Sequence, residues 1–99
     1  TDLTVAAGRL IASAPRAIAG RIEVRGVGIV AVTHVPRSPV GLAVDLVPPA
    51  RVERMPEPQG RTWLGIAIPL LSLCAFEASA VAKIRFALRE AAHGRLFAA

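Results

Sequence analysis

The sequence has few aromatic residues and a single cysteine. Trp and Phe together make up 4% of the 99 residues and tyrosine is absent, so a core must be built from Ala, Val, Leu and Ile. The lone Cys74 excludes an internal disulfide and a cysteine-based metal cluster. It lies between Leu73 and Ala75 in an apolar stretch, which is typical of a buried, unreactive thiol. Cys74 is therefore predicted to belong to the core.

Long apolar runs are also missing. The longest uncharged stretch runs from Thr62 to Phe76 and contains Gly65 and Pro69, whereas a membrane-spanning helix needs roughly 20 apolar residues. The first residues lack the positive charge and apolar run of a signal peptide. We therefore expect a cytoplasmic protein with no membrane partner.

The low hydrophobicity and high charge that mark disordered chains are absent. Hydrophobic residues make up 54% of the chain and charged residues 19%, with a mean hydropathy of +0.53. A chain of this length forms one small domain or part of a larger one. Because the first residue is Thr1 and the only methionine is Met55, we expect the chain to be the C-terminal part of a longer product.

Acidic residues are scarce relative to basic ones. Twelve basic and seven acidic residues give a net charge of +5, and Lys83 is the only lysine. A basic excess can serve nucleic acid, but these arginines are scattered along the chain and form no charged run. We therefore predict no nucleic-acid partner; the alternative, binding through dispersed arginines, would show a steep salt dependence. Arginine also suits phosphate groups, because its planar guanidinium matches their oxygens.

Strands are predicted over the first half of the chain. Two β-prone runs between Leu3 and Ala14 meet at Ala7-Gly8, which is the spacing of a tight hairpin. After a short bridge at 16–20, a β-branched segment extends from Arg21 to Val35. Within this segment, Gly26 and Gly28 let the backbone bend or approach another group closely. A loop is predicted from His34 to Pro39, because it contains two prolines.

The second half is predicted to alternate strands with an exposed connector. Val40 to Val47 forms a strand, and the proline-rich and charged segment from Pro48 to Gly60 forms the connector. Two further strands, Thr62 to Ile68 and Leu70 to Leu73, are expected to be separated by Pro69, because proline is rare inside a central strand.

Helical periodicity begins near Phe76 and ends at Gly94. Apolar residues recur at helical spacing at Val81, Ile84, Leu88 and Ala91. Glu77 falls in the predicted first turn and Gly94 is a typical C-terminal stop. Strands followed by one amphipathic helix predict an α/β fold, with a mixed sheet and a C-terminal helix on one face.

Most catalytic signatures are missing. The sequence has no G-x-x-x-x-G-K-[ST] loop, no G-x-S-x-G elbow and no H-E-x-x-H motif. His34 and His93 are far apart in the sequence, and we interpret them as a solvated loop residue and a helix-end residue. The pair Gly26 and Gly28 forms only a G-x-G, which alone is weak evidence for phosphate binding.

The pair Glu23 and Arg25 is the most suggestive feature. On a continuous strand the two side chains share one face, about 7 Å apart by strand rise, and Gly26 leaves the adjacent backbone open to a ligand. A carboxylate can hold Mg²⁺ while an arginine contacts phosphoryl oxygens, as phosphoryl transfer requires. The alternative is an ordinary ion pair on the surface.

This region resembles a known family. The segment SAPRAIAGRIEVRGVGIV, from Ser13 to Val30, is similar to the signature region of HPr kinase/phosphorylase. The Ala14-Pro15 pair and the run from Glu23 to Ile29 match its order of residues. The stretch from Leu73 to Ala91 resembles the C-terminal helix of the short alphaproteobacterial branch. The resemblance covers nearly the whole chain, and its specific part is Glu23 to Ile29.

The resemblance implies a bifunctional enzyme with ATP and Mg²⁺ as cofactors. Such an enzyme phosphorylates a serine of the phosphocarrier HPr, removes that phosphate by phosphorolysis, and thereby regulates the phosphotransferase system. The implied fold is a phosphate-loop α/β kinase domain related to phosphoenolpyruvate carboxykinase, with residues 1–99 as its C-terminal portion. A homo-oligomer is implied, hexameric in the longer members.

The same resemblance implies roles for individual residues. Glu23 corresponds to the metal-associated glutamate and Arg25 to the catalytic, phosphate-side arginine. Gly26 and Gly28 correspond to the glycines beside the bound nucleotide.

Two departures from the family pattern matter. The resemblance places the Walker A loop and the paired catalytic aspartates before Thr1, with Asp2 just after that pair, so we expect these 99 residues alone neither to bind ATP nor to be active. The stretch from Leu73 to Ala80 lacks the arginine of the phosphorolysis loop of longer members.

An alternative function is a non-catalytic interaction module, whose basic helix from Phe76 to Gly94 docks an acidic protein.

Overall fold

The computed structural model describes residues 1–94 and 96, in two compact units, Thr1–Val40 and Gly41–Ala99. The strands of the N-terminal unit are β1 (Asp2–Ala6), β2 (Arg9–Ser13), β3 (Arg21–Val24), β4 (Gly28–Ala31) and β5 (Arg37–Pro39). A 3-10 turn, Arg16–Ile18, precedes β3. The elements of the C-terminal unit are β6 (Ala43–Leu46), a 3-10 turn (Pro49–Arg51), β7 (Gly60–Trp63), β8 (Ile66–Leu73) and helix α1 (Ala80–Ala92).

The first sheet of the N-terminal unit has the antiparallel order β1-β2-β5. Strands β1 and β2 pair antiparallel up to Ala6 opposite Arg9, which confirms the predicted hairpin at Ala7-Gly8. The φ values of these two residues, 51° and 74°, fit a two-residue type I′ turn, which needs positive φ at both positions. The predicted loop from His34 to Pro39 is wrong for Arg37–Pro39, which pair with β2. Proline is tolerated there because β5 lies at the sheet edge, where a missing N–H donor leaves no ladder bond unmade.

The predicted β-branched segment from Arg21 to Val35 is a hairpin rather than a continuous strand. Strands β3 and β4 pair antiparallel, from Arg21 opposite Ala31 to Val24 opposite Gly28. The Val27 N–H donates to the Val24 carbonyl at 2.9 Å. Gly26, the third residue of this turn, has a φ of 82°, as a type II turn requires. The chain therefore reverses at the residues that the resemblance singles out.

The sheet of the C-terminal unit has the order β6-β8-β7. Strand β8 pairs parallel with β6 and antiparallel with β7, which confirms the predicted mixed sheet. A tight turn at Leu64-Gly65, with φ values of 50° and 80°, joins β7 to β8. The stretch from Thr62 to Ile68, predicted as one strand, is therefore divided between two.

Pro69 does not separate two strands as predicted, because it lies inside the central strand β8. It pairs with Gly60, the first residue of β7, and the parallel pairing with β6 begins one residue later at Leu70. Leu70 donates its N–H to the Gln59 carbonyl at 2.9 Å. Pro69 therefore lies where the pairing with β7 ends and the pairing with β6 begins. The sheet tolerates the proline because its missing N–H donor falls at this boundary.

Helix α1 confirms the predicted C-terminal helix, but it begins at Ala80 rather than Phe76. Glu77 therefore lies before the helix, and its carboxylate accepts a bond from Lys83 Nζ at 3.0 Å. Gly94 follows the helix with a φ of 67°, the left-handed conformation of a helix stop.

The buried face of α1 agrees in part with the predicted apolar stripe. Ala80 and Ala87 are buried, and two members of the stripe, Ile84 and Ala91, are half-buried on the same side of the helix. The other two members, Val81 and Leu88, are 62% and 47% exposed. Alanine has the smallest side chain with a Cβ, so the buried alanines let the helix backbone approach β8 more closely than larger side chains would.

Buried apolar side chains are concentrated in the C-terminal unit. The core residues are Leu10 and Ile11 in the N-terminal unit, and Ile68, Leu70, Leu73, Cys74, Ala80 and Ala87 in the C-terminal unit. Cys74 is 3% exposed, which confirms its predicted burial. Within residues 1–94 and 96, no helix is both long and apolar enough to cross a membrane.

Candidate functional site in the β3–β4 hairpin

The predicted site residues all lie in the β3–β4 hairpin. Glu23 is on β3 opposite Ile29, and Gly28 begins β4. Arg25 and Gly26 form the centre of the turn between the strands. All of these residues are exposed. The hairpin therefore presents the carboxylate on a strand and the arginine at its tip.

A pocket of about 270 Å³ lies beside Glu23. Ala17 and Ile18 of the 3-10 turn line it, together with hairpin residues Arg21, Ile22, Glu23 and Ile29. Its lining thus combines aliphatic side chains with one carboxylate and one guanidinium, which can accommodate a small polar group against an apolar wall.

Arg21 is the arginine that shares this pocket with Glu23, and sequence reasoning missed it. Side chains two residues apart on a strand point to the same face, so the alternation along β3 places Arg21 and Glu23 together. The signal was present in the sequence, because Arg21 precedes Glu23 by two residues just as Arg25 follows it.

The predicted placement of Arg25 on one strand face with Glu23 is wrong. Strand β3 ends at Val24 and Arg25 is the second residue of the turn, so the alternation of side chains along β3 does not extend to Arg25. The alternative, a surface ion pair between Glu23 and Arg25, is also wrong, since within residues 1–94 and 96 no ion pair joins these two side chains. Both charges of the hairpin are thus left available to a ligand.

Gly26 and Gly28 have open space around them. Their φ values are 82° and 121°, which L side chains rarely adopt, and a Cβ built on either would meet nothing within 4 Å. The backbone conformation therefore requires glycine at both positions. Their predicted role beside a nucleotide stays a prediction, with which this open approach is compatible.

The donor set allows one metal ligand from this hairpin. Within the part of the chain that the structure describes, no group of three or more His, Cys, Asp or Glu side chains could hold a metal ion. Mg²⁺ at phosphoryl-transfer sites is commonly held by one or two carboxylates, with substrate phosphates and water completing the octahedron. Glu23, with its exposed carboxylate, fits the role of one such ligand.

The hairpin also exposes aliphatic side chains. Val27 at the turn and Ile29 on β4 are 73% and 72% exposed, and Ile22 is 50% exposed. Charged and apolar groups therefore lie side by side around Glu23, as is common at surfaces that contact another macromolecule.

The two histidines lie in different settings. His93 caps the C-terminal end of α1, which confirms its helix-end interpretation. His34 is exposed in the loop after β4, as predicted, but its ring also lies against Gly20: a Cβ built on Gly20 would lie 3.0 Å from the His34 Cε1. No sequence pattern indicates this contact.

A larger groove of about 780 Å³ lies in the C-terminal unit. Its walls are Leu71 and Leu73 of β8, Phe86 and Ala87 of α1, and part of the connector, 52–56. None of the predicted site residues lines it. Lys83 of α1 also lines this groove and pairs with Glu77, whereas Arg85 and Arg89 are exposed and do not line it.

The fold of this chain is similar to that of a solved structure. No known protein family and no curated protein matches this sequence. Among solved structures, the fold is similar to that of the Hpr(Ser) kinase/phosphatase from Coxiella burnetii, with a TM-score of 0.69 and 23% sequence identity. The alignment covers 98% of this chain and 71% of that protein. The likeness shows the fold: mixed sheets and one C-terminal helix in the arrangement of an HPr kinase.

Proposed function

We propose that this chain is the C-terminal part of a cytoplasmic, Mg²⁺-dependent kinase that transfers the γ-phosphoryl group of ATP to a serine of the phosphocarrier HPr. The likeness of its fold to an HPr(Ser) kinase/phosphatase, at a TM-score of 0.69, carries the proposal. The position of Glu23 in a hairpin pocket supports it. We extend the proposal to a homo-oligomeric enzyme, but not to removal of the phosphate, because the stretch from Leu73 to Ala80 lacks the arginine of the phosphorolysis loop.

The residues of the hairpin have distinct roles in this proposal. Glu23 holds the metal ion through its carboxylate, and the ion supplies charge neutralisation at the phosphoryl oxygens. Arg25, at the tip of the turn, contacts those oxygens from the side facing solvent. Gly26 and Gly28 leave the backbone open beside the nucleotide. Arg21 contributes a second guanidinium next to Glu23.

The first test replaces the carboxylate of Glu23. In the intact protein, Glu23→Gln is expected to lower the rate of phosphoryl transfer to HPr about 100-fold or more, because metal-ion catalysis contributes several kcal/mol. Radiolabelled transfer from ATP to HPr measures the rate. The thermal stability should be unchanged, since Glu23 is exposed.

A matched control is Glu57→Gln, which removes an exposed carboxylate from the connector of the C-terminal unit. This variant should retain full activity. Wild-type transfer by Glu23→Gln would show that Glu23 is only structural, and the proposed metal role would be wrong.

The exposed face of α1 favours a second candidate function, the docking of an acidic protein. Arg85 and Arg89 lie exposed on the helix together with Val81 and Leu88, which are 62% and 47% exposed. A cationic face with apolar side chains combines electrostatic steering with area that can be desolvated on binding. Lys83 contributes less, because Glu77 already pairs with it.

Charge reversal on α1 tests this candidate. The double variant Arg85→Glu, Arg89→Glu is expected to weaken binding of an acidic partner, with HPr as the probe, by tenfold or more through loss of attraction and added repulsion. Calorimetric titration measures the affinity, and Arg54→Glu in the connector is the control. Undiminished binding by the double variant would exclude the helix as the docking surface.

A further inference from the structure

We infer that His34 is a positioning residue that sets the geometry of the Glu23 pocket through its contact with Gly20. This inference rests on the proposed function for its catalytic consequence only. The structural part stands on the packing of the imidazole ring at the open end of the β3–β4 hairpin.

Gly20 is the joint between the two walls of the pocket. The 3-10 turn that supplies Ala17 and Ile18 ends just before it, and β3, which supplies Arg21 and Glu23, begins just after it. Gly20 has a φ of 73°, a left-handed conformation that turns the chain sharply from one wall into the other. The backbone dihedral angles of Gly20 thus determine how Glu23 is oriented relative to Ala17 and Ile18.

Two contacts hold this joint. The Gly20 carbonyl accepts a hydrogen bond from the Val32 N–H at 2.9 Å, one residue beyond the end of β4, and so extends the hairpin ladder. Two residues further on, the His34 ring lies over Gly20. A Cβ built there would lie 3.0 Å from Cε1 and 3.2 Å from Nδ1. The ring therefore occupies the space that a side chain at position 20 would fill.

The contact matters because the hairpin has little other support. Its two strands pair only with each other, and Val30 is the one half-buried residue among the exposed strand positions. A two-stranded hairpin is marginally stable by itself. Packing of a planar ring on the glycine at its base restricts fraying of the Gly20–Val32 end, and thereby restricts the motion of Glu23 three residues away.

Amide hydrogen exchange of the chain tests the structural part. His34→Ala is expected to speed exchange of the Val32 amide roughly three- to tenfold, the effect of losing a contact comparable to one hydrogen bond. His34→Phe should restore the wild-type rate, because it keeps a planar ring at the same place. His93→Ala, which removes the other imidazole, should leave Val32 unchanged. Unchanged exchange in His34→Ala would overturn the inference.

Phosphoryl transfer by the intact protein tests the catalytic part. His34→Ala should lower kcat about tenfold with little change in the KM for ATP, because misplacing a catalytic group by a fraction of an ångström slows the chemical step. His34→Phe should recover kcat. An unaltered kcat in an active enzyme would overturn the positioning role. If the wild-type protein transfers no phosphoryl group, the proposed function is wrong, and the exchange of Val32 alone decides whether His34 holds the joint.

Discussion

The two units of the chain differ in what holds their backbone in place. The C-terminal unit has a three-stranded sheet whose central strand buries Ile68, Leu70 and Leu73, and a helix that packs on it. The N-terminal unit has Leu10 and Ile11 as its buried apolar residues, and its β3–β4 hairpin buries none. The candidate site is on this hairpin. Its geometry must therefore come from turn residues and local contacts, whereas that of the C-terminal unit comes from a core.

This difference is a common division between stability and function. Binding groups are often carried by segments with few buried contacts, because such segments can present polar atoms to a ligand. The expected effects of substitution follow the same division: loss of stability in the C-terminal unit and loss of site geometry in the N-terminal one.

The largest effect on stability is expected from the core of the C-terminal unit. Leu73 is 1% exposed, and Leu73→Ala should lower the free energy of unfolding by about 2–5 kcal/mol, through lost burial and the cavity left behind. Its parallel neighbour Leu46 is 67% exposed. Leu46→Ala is therefore the matched control, with an expected loss below about 1 kcal/mol. Urea denaturation measures both, and equal losses would contradict the assignment of the core.

A smaller effect should distinguish two left-handed glycines, one from each unit. Gly20 and Gly65 have φ values of 73° and 80°, but only Gly20 has a side chain within 4 Å of its Cβ position. Gly65→Ala should cost about 1–2 kcal/mol from backbone strain alone. Gly20→Ala should cost roughly 1 kcal/mol more, because the His34 ring must shift.

The excess cost at Gly20 can be assigned by a second substitution. In a His34→Ala background the ring is absent, so Gly20→Ala should cost no more than Gly65→Ala, as judged by urea denaturation. An excess that persists without the ring would mean that the two glycines differ for another reason.

The smallest effect concerns the ion pair at the start of α1. Lys83 and Glu77 are 3.0 Å apart with side chains 44% and 34% exposed, so Lys83→Ala should cost no more than about 0.5 kcal/mol and the cost should vanish in 1 M salt. The control is Arg85→Ala, because Arg85 has no ion-pair partner among the described residues. A salt-independent loss would indicate packing by the lysine stem rather than charge.

The sequence predicted elements whose signals are local. Ala7-Gly8 marked a hairpin because a glycine interrupts two β-prone runs, and Gly94 marked the helix end. It indicated that Gly26 and Gly28 can bend the chain, but not that the chain reverses at Arg25 and Gly26, because β-branched residues continue on both sides of the turn. The turn at Leu64-Gly65 was missed because leucine is an unusual residue at positive φ.

Tertiary features explain the remaining differences. Periodicity indicated which residues of α1 are apolar, but not that the smaller ones face the sheet, since that depends on how closely helix and strand approach. In the candidate site, Glu23 was singled out from the sequence, whereas Arg21, which lines the same pocket, was overlooked because the strand was expected to continue through Arg25. The contact of His34 with Gly20 joins residues on opposite sides of a hairpin that was not predicted, so no pattern could have indicated it.

Pro69 has a consequence for how the C-terminal unit avoids misalignment during folding. A shift of β8 by one residue would bring this proline to the position of Leu70, whose N–H bonds to the Gln59 carbonyl, and that bond would be lost. The same shift would turn Leu73 from the buried face to the opposite one, because side chains alternate along a strand. The proline thus adds the loss of a backbone hydrogen bond to the exposure of a buried leucine, so two independent costs disfavour this wrong alignment of β8.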